Sequence, residues 1–125
     1  MNRTHYESKM QELRVGALRS HGEAPTALRE QVEELSAHLS GRLDATCDSS
    51  ATPPGIRKFI EKIALNAYKV TDEDVKHVLH EGYSEDAAFE LIVCTAVGAG
   101  AGRFERAMHA LALARTGETD APEEG

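Results

Sequence analysis

The sequence predicts an all-α fold, and three observations carry that prediction. Apolar residues recur at helical spacing along almost the whole chain. No segment shows the sustained alternation that a half-buried strand requires. Capping residues, glycines and a proline-containing loop punctuate the periodic stretches. About six helices are expected in one domain over residues 1–117, followed by a polar, disordered tail at 118–125. No internal repeat is visible.

Tyr6, Met10, Leu13 and Ala17 follow one another at steps of four, three and four, so the first helix has one apolar face, closed by Gly22. A second helix begins near Pro25 and Thr26 and carries a stripe of Leu28, Val32, Leu35, Leu39 and Leu43. Its other face, with Arg29, Glu30, Glu33 and Glu34, is charged. The two make a helical hairpin over residues 1–44. Residues 44–55 are a loop by composition.

The segment 54–117 holds the remaining helices. Ile56, Phe59, Ile60, Ile63, Ala64 and Ala67 form the cleanest amphipathic pattern in the chain. Thr71 and Asp74 are spaced as a capping box, with Val75, Val78 and Leu79 inward and Gly82 as the stop. Ser84, ahead of Glu85 and Asp86, caps the next helix. From Ala87 to Val97 that helix is apolar nearly all round and should be the buried, central one. Gly98, Gly100 and Gly102 are expected to interrupt it. A sixth helix then places Phe104, Ala107, Met108 and Leu111 inward and ends at Gly117.

The chain has 125 residues and a formal net charge of -7. That balance, with no cluster of Lys and Arg, argues against nucleic-acid binding and is better read as a solubility feature. No signal peptide is evident in the first residues, and the apolar run 91–102 is too short and too glycine-rich to span a bilayer, so the cytoplasm is the expected compartment. Cys47 lies in the loop and Cys94 in an apolar run; no CxxC or disulfide framework is present. The glycine cluster lacks the preceding strand of a dinucleotide fingerprint and the Lys-Ser/Thr of a phosphate loop, which leaves a helix joint or a close backbone approach. His77 and His80 are spaced for metal ligation without an evident third ligand, so no metal and no cofactor is expected. His5, His21 and His38 sit on polar faces.

The stretch from Gly82 to His109, Gly-Tyr-Ser-Glu-Asp-Ala-Ala-Phe-Glu-Leu-Ile-Val-Cys-Thr-Ala-Val-Gly-Ala-Gly-Ala-Gly-Arg-Phe-Glu-Arg-Ala-Met-His, resembles the core of the carboxymuconolactone decarboxylase and AhpD-like alkylhydroperoxidase superfamily. The resemblance covers about a quarter of the chain closely and 56–116 more loosely. The peroxidase branch is marked by a glutamate, a CxxC pair and a histidine. Setting Glu90 at the glutamate puts Gly102 and Glu105 at the cysteine positions and His109 at the histidine. Without the thiols a dithiol peroxidase cycle has no nucleophile and no resolving partner. The decarboxylase branch is similar in its Gly-Arg start to the last helix followed by a glutamate and a histidine, here Gly102, Arg103, Glu105 and His109.

The resemblance therefore implies a cofactor-free lyase or isomerase acting on a small carboxylated molecule. Arg103 would grip the carboxylate, His109 would carry the proton, and Glu105 with Glu90 would orient and tune it. Glu105 and His109 are an i,i+4 pair, which an ordinary solvated pair satisfies equally well. Glu90 interrupts an apolar helix. Either it reaches solvent, or Arg103, Arg106 or His109 satisfies it; in the apolar wall its pKa would be raised. The superfamily's habit implies a homo-oligomer, trimer or hexamer. The alternative is a non-catalytic oligomeric accessory or binding protein that keeps the fold.

Overall fold

The computed structural model describes residues 3–43 and 49–117; Cys47 and the 118–125 tail lie outside the described residues. Among those residues there are five α-helices and no strand: α1 Arg3–Arg19, α2 Thr26–Leu39, α3 Pro54–Asn66, α4 Asp72–His80 and α5 Glu85–Thr116. Single turns of 3-10 helix, Ser49–Ala51 and Ala67–Lys69, lead into and out of α3.

The caps of α4 and α5 and the stop at Gly117 act as the sequence predicts, and the start of α3 falls within the stretch expected to be loop. Pro53 and Pro54 open α3, where a missing N–H costs nothing. Thr71 and Asp74 form both halves of the capping box on α4. The Ser84 hydroxyl accepts from Ala87 N–H at the head of α5, and Gly117 ends it with a positive φ of 77°.

The expected break at Gly98–Gly102 does not occur. One unbroken helix of 32 residues replaces the fifth and sixth helices. Each glycine costs helix stability, but two of the three are needed where they stand. A Cβ on Gly98 would lie 2.3 Å from the Glu33 carbonyl oxygen, and one on Gly102 would lie 2.3 Å from that of Ala37. Glu33 with Ala37 and Gly98 with Gly102 are each four apart, so α2 lies parallel to α5 with backbone against backbone. Ser36 Oγ donates to Thr95 O across the same seam at 2.6 Å. Gly100 points away and meets nothing.

This close approach turns α2 away from the orientation its leucine stripe suggests. Arg29, Val32, Glu33, Leu35, Ser36 and Ala37 are buried, while Leu28 and Leu39 lie only partly buried beside them. The charged face of α2 therefore contributes two residues to the interior, Arg29 and Glu33. Gly41, at a φ of 122°, ends α2 in a Schellman turn: Arg42 N–H bonds to Ala37 O and Gly41 N–H to His38 O.

Helix α1 runs antiparallel to both, with Arg14 paired to Glu33, Arg19 to Glu30, and Cys94 Sγ donating to Ala17 O. Of its expected apolar face, Tyr6 and Leu13 are exposed; Leu18 is the residue that enters the core. The core proper joins α2, α3 and α5 through Val32, Leu35, Ile56, Ile60, Leu91 and Cys94, with Val78 of α4 closing one end. By length and composition α5 could cross a membrane, and half of that apolar stretch is buried in the fold.

Candidate functional site

The unbroken α5 decides where the four sequence-nominated residues sit. Fifteen residues separate Glu90 from Glu105 and nineteen separate it from His109, which is about 22 and 28 Å of helix rise. Glu90 therefore does not meet Glu105 or His109 within one chain, and Arg103, Arg106 and His109 are not what satisfies it.

Glu90 instead holds the α1–α2 connection. Its carboxylate accepts from Ala24 N–H at 2.7 Å and Glu23 N–H at 2.9 Å. Gly22 has no side chain because the same carboxylate fills the space: a Cβ there would stand 2.7 Å from Oε1. These backbone N–H groups, Ala24 first, hold the Glu90 carboxyl below the usual value, opposite to the expected rise. Replacing Glu90 by Ala should cost about 1–2 kcal/mol, and Glu90→Gln, which keeps one acceptor, about half of that. Urea unfolding checks this, and equal stability of both variants with the parent would remove Glu90 from this role.

Arg103 is exposed and donates to Ala64 O at 2.9 Å, covering a carbonyl at the end of α3. It does not line the cleft that Glu105 and His109 share. That cleft lies between α1 and the C-terminal half of α5 and has a volume of about 370 Å³. Met10, Phe104 and Met108 supply its apolar wall, and Glu7, Gln11, Arg14, Glu105 and His109 its polar one.

Behind the cleft runs a charge network that the sequence reading missed. Glu33, 1 % exposed, accepts from Arg14 Nε and Nη2 at 2.8 and 3.0 Å and from Arg42 at 3.2 Å. Arg42 also grips Glu105 with two bonds, of 2.8 and 2.7 Å. Burial pushes the Glu33 carboxyl up, but the bonds from Arg14 and Arg42 outweigh it and leave it below the usual value. Arg42 is raised, chiefly by its bond to Glu105. The legible signal for Arg42 was Ser40-Gly41-Arg42 just past a helix, since a Schellman turn folds the next side chain back over that helix. Nothing in sequence marks Arg14.

Cys94 is a free, buried thiol whose pKa burial lifts to about 11, which disfavours the thiolate. His77 lines a separate hollow with Lys58, Lys62 and Asp74. Among the described residues, no three His, Cys, Asp or Glu side chains gather as a metal-ligand set. His38, expected on a polar face, is half-buried, with its Nε2 unpartnered. No protein family, curated protein or solved structure matches the chain.

Proposed function

We propose that this chain is a binding protein on a carboxymuconolactone decarboxylase-like helical frame, a divergent relative that kept the frame and not its acid–base set. The cleft between α1 and α5 would take a small carboxylated molecule, its apolar part against Met10, Phe104 and Met108 and its polar end toward Arg14 and His109.

The observation that carries this reading is the commitment of the carboxylates. Glu90, about 22 Å along the helix from Glu105, is spent on two backbone N–H groups. Glu105 is clamped by Arg42 in a bidentate pair that fixes its carboxylate against α2 and commits both of its oxygens. His109 is left as the one proton-transfer group of the proposed set in the cleft. Its place there favours, as a second reading, the lyase or isomerase.

Titration of the ¹⁵N-labelled protein with short-chain mono- and dicarboxylates separates the two. Saturable shifts clustered on Met10, Arg14, Met108 and His109, with the carboxylate recovered intact, are expected. Conversion of the carboxylate that disappears in His109→Ala would replace the binding reading with the catalytic one. Absence of any cleft shift at millimolar ligand would remove both.

A further inference from the structure

Helix α5 presents a second apolar face, turned away from α2. At about 100° per residue, Phe89, Val93, Val97, Gly100, Phe104 and Leu111 fall on one stripe. None of the six joins the packed core, and Phe89 is 64 % exposed. None of these six is charged; the exposed Arg103 borders the stripe three residues past Gly100 and is held to Ala64 O of α3. The stripe is bounded by one charge at each end, the exposed Asp86 and the exposed Arg115. Asp86 lies fourteen residues before Gly100 and Arg115 fifteen after it.

We infer that this stripe is the contact surface for a second copy of the chain, with the two α5 helices antiparallel and crossing at Gly100. A two-fold axis there sets Phe89 against the partner's Leu111. It also sets Asp86 against the partner's Arg115 at both ends, so the face complements itself. Gly100 lets the backbones approach, as Gly98 and Gly102 do on the opposite side. Nothing in its own chain needs the glycine, because a Cβ at Gly100 meets no atom within 4 Å.

The stripe from Phe89 to Leu111 is about 33 Å long and one helix wide, roughly 350 Å² in projection. A groove of about 490 Å³ beside it, lined by Leu13, Phe89, Val93 and Val97, extends the apolar surface onto α1. Alone the stripe falls short of the ~800 Å² per partner of a standard interface, so the groove on α1 must contribute to the contact. A lipid surface fits less well. The chain is acidic, and the opposite end charges match an antiparallel protein partner but have no counterpart in a bilayer.

Light scattering during gel filtration, with parallel flotation on phosphatidylcholine vesicles, tests the pairing. The parent should run at twice its 13.6 kDa mass, or at a larger even multiple of it, and should not float. Gly100→Arg should halve the mass or release monomers without reducing helicity or lowering the urea midpoint of the monomer. Arg115→Asp alone should weaken association a few-fold, and adding Asp86→Arg should restore it. A monomeric or trimeric parent, flotation of a monomer, or an assembly indifferent to Gly100→Arg would overturn the inference.

Discussion

Gly98→Ala is expected to destabilise the fold by about 2 kcal/mol, while Gly100→Ala, two residues away on the same helix, stabilises it by roughly 0.5–1 kcal/mol. Both replace a mid-helix glycine with the best helix former, so propensity favours both. The difference is what the new methyl meets. At Gly98 it would stand 2.3 Å from the backbone carbonyl oxygen of Glu33, and backbone cannot swing aside as a side-chain end can. Relief requires α2 to lift from α5, opening the seam of Val32, Ser36 and Leu91 and stretching the Ser36–Thr95 hydrogen bond. At Gly100 the methyl enters open space. Gly102→Ala, against Ala37, should resemble Gly98→Ala. Urea unfolding at low protein concentration measures all three. Equal effects of Gly98→Ala and Gly100→Ala would mean that the two helices are not in backbone contact.

Removal of Glu33 should cost more, about 3 kcal/mol for Glu33→Leu, which is roughly 10 °C in Tm for a domain of this size. The loss is not that of an isolated ion pair. Glu33 faces two guanidinium groups. Without it Arg42, only 9 % exposed, keeps Glu105 but loses its second partner, and Arg14 loses both of its bonds to α2. Putting apolar residues at Arg14 and Arg42 as well should recover much of the stability, because the uncompensated charges leave with the carboxylate. The same network gives a pH dependence of defined sign. The folded-state pKa of Glu33 lies below its ordinary value of 4.5. Its contribution is therefore complete well above pH 4.5 and is lost as pH falls through the folded pKa. Glu33→Gln should be less stable than the parent at pH 7, with the gap narrowing toward pH 3. A gap that stays constant would assign the stability to packing and not to charge.

Much of the architecture was legible in local signals. The capping box at Thr71, the Ser84 cap, the paired prolines before α3 and the glycine after α5 act through atoms within a few residues, so sequence proximity suffices to read them. The core face of α3 was equally plain, because its neighbours demand only apolar volume. The candidate site was read less well. Glu105 and His109 do share a cleft, since i,i+4 spacing holds wherever the helix lies. Glu90 does not line it because the expected helix break does not occur, and Arg103 does not because it stands two residues from Glu105 and so on the opposite side of the same helix.

By itself, the sequence determined the helical class, most helix ends and which residues of α3 and α4 turn inward, all consequences of short-range hydrogen bonding and 3.6-residue periodicity. Only the tertiary structure decided that three glycines lie within one helix, that Arg29 and Glu33 of α2 are interior, and that Glu90 is a backbone clamp. The physical reason is common to all three. A glycine is equally suited to ending a helix or to admitting a neighbouring backbone, and a carboxylate is equally suited to solvent or to a buried partner. The choice between those uses is made by contacts tens of residues away, here the carbonyls of Glu33 and Ala37 and the N–H groups of Glu23 and Ala24.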